Sequence, residues 1–196
     1  MKRSITRFDL GLTALLLLGI GFWQVGAAGY IHAKAWLAQD LLDHAWQRTL
    51  AGERHVKAWP WADTWPVARI EVPRLHMKEI VLADAGGEAL AFGPAHVAGT
   101  AKPGEEGTTV IAGHRDTHFK WLGDVEPGDK IIVTGPDGRR HVYEVSDGKV
   151  VMAHASGLYP DEDQHELALV TCWPLNAIRP GGEKRYVVMA TEVGGI

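Results

Sequence analysis

From Leu10 to Ala33 the chain carries no Lys, Arg, Asp or Glu. Within that run, residues 12–31 supply the ~20 apolar positions a helix needs to cross ~30 Å of hydrocarbon. Trp23 and Tyr30 lie toward its far end, where amphipathic rings favour an interface. Lys2, Arg3 and Arg7 precede the run and a near-neutral segment follows it. That asymmetry predicts an N-terminus in the cytoplasm and the rest of the chain outside. Val25-Gly26-Ala27 resembles a small-residue cleavage site, but the apolar stretch exceeds a typical signal-peptide core, so an uncleaved anchor is expected.

The hydrophobic period then changes twice. Ala38, Leu42, Trp46 and Leu50 recur at four-residue spacing, with Leu37, Leu41 and Ala45 alongside. This predicts a helix over 32–50 that stops near Gly52. Its apolar face either lies on the bilayer or packs on a domain. Residues 58–66, AWPWADTWP, hold two prolines and three tryptophans, the composition of a stiff extended connector clamped onto a domain surface. From Val67 onward the alternation is two-residue. Strands are predicted at 68–72, 79–83, 108–114, 130–134, 141–145, 149–153, 167–172 and 185–192. Gly86-Gly87, Pro103-Gly104, Pro127-Gly128, Pro136-Asp137-Gly138, Asp147-Gly148 and Pro180-Gly181-Gly182 punctuate them as turns. Short helical turns fit at 89–92 and 119–123. The fold class is all-β, a small barrel or sandwich. The predicted division is 1–9 cytoplasmic, 10–31 transmembrane anchor, 32–66 juxtamembrane helix and linker, and 67–196 the β domain.

Composition adds limits. The 196 residues suffice for one ordinary domain beside a membrane segment. A formal charge of −4, with no basic face, gives no footprint for nucleic acid. A single cysteine, Cys172, excludes an intramolecular disulfide and a cysteine-cluster metal site. A lone cysteine is commonly an inert small hydrophobe. Outside the cytoplasm, however, an unpaired thiol is a hazard that needs a reason.

The surroundings of Cys172 supply one. In residues 166–174 the side chains of Leu167, Leu169 and Thr171 alternate with Ala168, Val170 and Cys172. Pro174 restricts Trp173 and ends the strand just after the thiol. His114 closes one predicted strand and Arg185 opens another. A His, a Cys and an Arg at three strand ends are the parts of a thiol acyl-transfer site. Each has a plainer reading, His114 as a surface histidine and Arg185 as a strand-edge charge, with Arg179 a rival for the arginine role. His118, His141, His154 and His165 read as surface residues. His114, Asp116 and His118 also have zinc-ligand spacing, without a further cluster to complete a site.

Several stretches together resemble the sortases, membrane-anchored cysteine transpeptidases. Gly93-Pro94-Ala95-His96 with Pro103-Gly104 and Gly107 resembles the stretch before the family's histidine strand. Val110-Ile111-Ala112-Gly113-His114-Arg115-Asp116 resembles that strand, and Phe119, Leu122 and Pro127-Gly128-Asp129 the segment after it. Leu169-Val170-Thr171-Cys172 resembles the TLxTC nucleophile signature, and Arg185 falls where the catalytic arginine does. Ala168 replaces the signature's first threonine, and Trp-Pro follows the cysteine. The N-terminal anchor and a short final strand resemble the Gram-negative type.

The resemblance implies a closed β-barrel of about eight strands with short helices, and catalytic roles for His114, Cys172 and Arg185. It implies a secreted protein substrate with a C-terminal LPxTG-like sorting signal, a thioacyl intermediate, an unknown amine acceptor, no cofactor and an inner-membrane location with the barrel in the periplasm. A thiolate is a good nucleophile and a thioester is reactive enough to be captured by an amine. With ordinary values of ~8.5 for a thiol and ~6.5 for an imidazole, a thiolate–imidazolium pair is about one per cent of the total near neutral pH. Cationic neighbours enlarge that fraction. Arg185 and the Trp173 N–H are the two candidate oxyanion donors. The competing readings are a membrane-tethered, non-catalytic β-barrel binding module, and another envelope cysteine enzyme. An L,D-transpeptidase places Ser-x-Gly-Cys around its thiol, and a papain-like peptidase puts the thiol at a helix start; Cys172 does neither.

Overall fold

The structure, a computed structural model, describes residues 7–154, 164–177 and 181–195. The chain divides into two compact units, Met1–Asp40 and Leu41–Ile196. Helix α1 spans Arg7–Leu50. It is the one helix among the described residues long and apolar enough to cross a membrane. In the first unit Leu15, Leu16, Leu17 and Leu18 are all exposed. Apolar side chains at four successive positions cover every side of a helix, the pattern of a surface that faces lipid.

In the second unit the end of α1 has a different character. Leu42, Ala45, Trp46 and Thr49 are buried, and Leu42 and Trp46 cluster with Ile80, Leu82, Ala89 and Ala95. The last turns of the helix therefore pack on the domain. Arg69 lies 5.5 Å over the Trp46 ring and reaches Asp43 at 3.3 Å. Gly52, at φ +98°, takes the left-handed conformation that ends the helix. In the connector, Trp59 packs edge-on to Phe92 at 4.7 Å and Trp65 onto His55 at 4.5 Å, while Trp61 is exposed.

Eight strands form a closed barrel: β1 (Pro66–Val72), β2 (Met77–Leu82), β3 (Ala95–His96), β4 (Gly107–Ala112), β5 (Lys130–Thr134), β6 (Arg140–Met152), β7 (His165–Cys172) and β8 (Lys184–Gly195). Their order around the barrel is β1-β2-β3-β4-β7-β8-β6-β5, and β1 pairs with β5 to close it. The β4–β7 and β2–β3 pairs are parallel and the others antiparallel. Ile70, Ile111, Ile131, Leu167 and Leu169 point inward into the main core. A six-residue helix α2 (Gly87–Phe92) and a 3-10 turn at Lys120–Asp124 match the two predicted helical turns.

The observed elements differ from the predicted ones in three places. β3 is absent from the predicted strands, because its two residues are too few to show any alternation. The segments 141–145 and 149–153 fall in one strand, β6, because Ser146 is the extra residue of a bulge: the register shifts between Val145 and Asp147, and Asp147 and Gly148 stay paired with Met189 and Val188. A Cβ on Gly148 would lie 2.4 Å from the Tyr186 hydroxyl, so the glycine admits that side chain. The last strand is twelve residues long rather than short, because its pairing with β6 continues to Gly195.

Candidate active site

β7 ends at Cys172, as the proline two residues later requires. Cys172 faces Arg185 directly in the antiparallel β7–β8 register. Cys172 continues the row of Ala168 and Val170, and Arg185 that of Val187 and Met189. Ala168, Val187 and Val110 form a second buried cluster with Val170 and Met189 against it, apart from the main core. The thiol and the guanidinium therefore rise from one face of the sheet, at the end of an apolar floor.

β4 lies parallel to β7 on its other side, so both strands deliver their C-terminal ends to the same mouth of the barrel. The Gly113 N–H donates to the Val170 carbonyl at 3.0 Å. The buried Thr171 hydroxyl donates to the Gly113 carbonyl at 2.7 Å. Two bonds thus tie the residue before His114 to the two residues before Cys172. The loop after His114 folds back, with the Phe119 N–H donating to the His114 carbonyl at 2.9 Å. Phe119 is fully buried, and a Cβ on Gly113 would stand 2.7 Å from its ring. His114 itself is exposed. The structure brings His114, Cys172 and Arg185 to one end of the β4–β7–β8 sheet; Arg179 lies outside the described residues.

The Trp173 N–H is already used: it donates to the Lys184 carbonyl at 3.1 Å, one step beyond the β7–β8 ladder. It is therefore not a free oxyanion donor, contrary to the sequence expectation. Arg185 Nη1 donates to the carbonyls of Gly182 and Lys184 at 2.8 and 2.9 Å, which holds the guanidinium at the start of its own strand.

The zinc alternative dissolves in the geometry. Asp116 is engaged by Arg115, and His118 Nδ1 lies 3.2 Å from Glu79. Among the described residues no group of three His, Cys, Asp or Glu side chains converges for a metal. His118 and His141 are not simple surface residues either, since His141 pairs with Glu192 at 2.8 Å and both rings are mostly covered. His165 lies 3.5 Å from the same Glu192, and His154 is exposed.

Arg115 escaped the sequence reading. Although arginine is normally a surface residue, its side chain is 3% exposed. Its Nε and Nη2 donate to the two Asp116 carboxylate oxygens at 3.0 and 3.2 Å, and its Nη1 to the Pro174 carbonyl at 2.9 Å. The hydrogen bond from Arg115 holds the Asp116 carboxyl below its ordinary value, and the same bond raises the guanidinium. At the turn after this loop Asp129, also buried, accepts a fork from Arg74 at 2.5 and 2.7 Å and the Glu126 N–H at 2.9 Å. The Arg74 bond, helped by that N–H, lowers the Asp129 carboxyl. A cavity of about 780 Å³, lined by Thr109, His96 and His141 among others, lies at the opposite mouth, where β4 and β6 begin.

Comparison with known proteins identifies the family. The sequence model of the sortase domain matches residues 70–193. The chain belongs to the sortase family. It is 27% identical to sortase D of Bacillus subtilis over 125 residues, which are 63% of this chain and 62% of that protein, so the chain spans less than two thirds of this relative. Among solved structures, sortase C-1 of Actinomyces oris superposes with a TM-score of 0.59 at 27% identity, covering 66% of this chain and 75% of that one. Sortase A of Corynebacterium diphtheriae gives 0.60 at 25% identity, covering 80% and 84%. A sortase D5 transpeptidase of Clostridium perfringens gives 0.59 at 24% identity, covering 78% and 89%, and supports the fold alone. The sortase barrel is thus the observed architecture, and transpeptidation is the activity of the family.

Proposed function

We propose that the chain is a cysteine transpeptidase that cleaves an LPxTG-like sorting signal near the C-terminus of a secreted protein and passes the acyl part to an amine. The observation that supports this most is the direct pairing of Cys172 with Arg185, with the His114 segment tied alongside through Thr171 and Gly113. In the cycle, the Cys172 thiolate attacks the scissile carbonyl carbon and forms a C–S bond. The tetrahedral intermediate collapses with loss of the C–N bond, and the His114 imidazolium gives its proton to the departing amine. The incoming amine then loses a proton to His114, attacks the thioester and releases the thiolate. Arg185, charged at any relevant pH, donates to the oxyanion. The partly buried Val151, Val170 and Met189, which pack over Val110, Ala168 and Val187, favour apolar residues upstream of the scissile bond.

In this reading the span 10–31 of α1 is a single-pass anchor in the inner membrane, with the N-terminus in the cytoplasm and residues 67–196 as the catalytic domain in the periplasm. Membership of the Gram-negative type is supported by the N-terminal anchor alone, since β8 is not short.

The test uses the full chain in detergent micelles with a library of LPxTG-like peptides and hydroxylamine, read by mass spectrometry. A hydroxamate, with an acyl adduct on Cys172, both absent in Cys172→Ala, is the expected result. No product across the library overturns the transpeptidase reading in favour of a binding module.

A further inference from the structure

Arg115 sits where the two chemical segments meet. It follows His114 in sequence, and its Nη1 holds the carbonyl of Pro174, two residues beyond Cys172. Its other nitrogens form a fork with Asp116. Its side chain is 3% exposed, whereas that of Asp116 is 66% exposed. The cation is thus shielded from water and its counter-ion is not, so the carboxylate's charge is screened more than the guanidinium's. A buried arginine keeps its proton at any pH the protein survives. We propose that Arg115 is a positioning residue for the thiol: it fastens the segment after His114 to the segment after Cys172, and it sets a permanent positive charge behind the nucleophile.

This deepens the transpeptidase reading and rests on Cys172 being the nucleophile. The charged groups on the site are Arg115, Asp116 and His114 from the β4 loop, Arg185 from β8, and the thiol itself. The charge of Cys172 contributes to the raised basicity of Arg115, after the Asp116 hydrogen bond and the Asp116 charge. A cation fixed near a thiol favours, as a general rule, its ionised form. Arg185 spends Nη1 on carbonyls at its own strand start, which leaves Arg115 as the cation fixed to the far side of the Cys172 turn.

The single cysteine makes the test specific, because thiol alkylation of the full chain reports Cys172 alone. Iodoacetamide rates are measured in detergent micelles across neutral pH for the wild type, Arg115→Gln and Arg115→Lys. The glutamine keeps an amide donor for Pro174 and loses the charge, whereas the lysine keeps the charge. Losing the cation lowers the thiolate fraction, while a more basic thiolate is intrinsically faster and offsets about half of that loss. The expected result is a roughly threefold slower reaction near pH 7 in Arg115→Gln and a near wild-type rate in Arg115→Lys. A merely structural role gives the opposite sign, since a loosened turn exposes the thiol and speeds alkylation. Equal or faster alkylation in an Arg115→Gln protein that melts cooperatively overturns the proposal. If that variant does not melt cooperatively, Asp116→Asn replaces it and the pH profile of alkylation is read: freeing the cation's field moves the midpoint to lower pH, whereas a loosened turn scales the rate without moving it, and an unmoved or raised midpoint overturns the proposal. The assay needs no peptide substrate. Its failure is therefore separate from a failure of the hydroxylamine test.

Discussion

Arg185 and Trp173 share one acceptor. The Lys184 carbonyl takes the Trp173 N–H at 3.1 Å and Arg185 Nη1 at 2.9 Å. The backbone donor after Cys172 is thus consumed in extending the β7–β8 ladder, so the proposed cycle assigns stabilisation of a developing oxyanion to Arg185. Arg185→Ala is expected to lower kcat by about 10²–10³ with little change in KM, the loss typical of a removed oxyanion donor. Arg185→Lys restores only part, because a point charge lacks the planar fork. Steady-state kinetics on the cleaved peptide provide the check, and a loss smaller than about tenfold would assign the oxyanion to other donors.

Thr171 is 2% exposed, and its hydroxyl is the tie between the β7 exit and the β4 exit. Thr171→Val keeps the shape and leaves the Gly113 carbonyl unmatched, at a cost of about 1–3 kcal/mol. Thr171→Ser keeps the bond. Urea denaturation and kcat/KM measured together should show both properties falling in the valine variant and both largely retained in the serine variant. A valine variant with full activity would show that this tie does not register His114 against Cys172.

Gly113 is required by its neighbour rather than by its own backbone angles. An added methyl at Gly113 would stand 2.7 Å from the Phe119 ring, and that ring is fully buried and cannot swing aside. Gly113→Ala is expected to cost about 1–3 kcal/mol as an overpacked site. Phe119→Leu in the same chain relieves the clash, so the double variant should lose less than the sum of the two single variants. Additive losses in thermal melts would place the strain elsewhere.

The sequence conveyed the barrel through alternation and punctuation. β5 matches its prediction at both ends, and β7 ends at the predicted residue because Pro174 leaves no other choice. Where a glycine serves packing rather than a turn, the same signals mislead. Gly148 looks like hairpin punctuation in sequence, yet it makes room for the Tyr186 hydroxyl inside one long strand. The candidate site was legible as far as residue type at strand ends allows, because parallel β4 and β7 carry His114 and Cys172 to one mouth. The burial of Arg115 was not legible, since composition assigns an arginine to solvent and the Pro174 carbonyl that it reaches lies 59 positions away. The use of the Trp173 N–H was hidden for the same reason, because its partner lies across the sheet.

Tyr143 is 1% exposed, and burial pushes its phenol up to about 12, while the Gly104 N–H donating to it at 3.1 Å opposes the shift. An unfolded tyrosine ionises near ~10. The folded value is the higher one, so the associated stability is complete below ~10 and is lost as pH rises toward about 12. Ultraviolet difference titration should show a phenol step near that upper value. Tyr143→Phe should remove this late step. If the step persists in the phenylalanine variant, the late phenol belongs to another residue.

Asp129 supplies the acid-side counterpart. Its carboxylate, 6% exposed, receives the Arg74 fork and the Glu126 N–H, and the Arg74 hydrogen bond is the main reason it titrates below its ordinary value. An unfolded aspartate titrates near ~3.9. The folded value lies lower, so the unfolded chain binds more protons in the acid range, and stability falls as pH falls there. The contribution is complete above ~3.9 and disappears as pH drops through the folded value. Arg74 is 44% exposed, so solvent screening keeps the contribution of the pair small. Asp129→Asn should therefore lower Tm at neutral pH and flatten its decline on acidification relative to the wild type. The two curves should converge at the acid end. Parallel curves over that range would mean that the Arg74–Asp129 pair holds the loop between the 3-10 turn and β5 without contributing to pH-dependent stability.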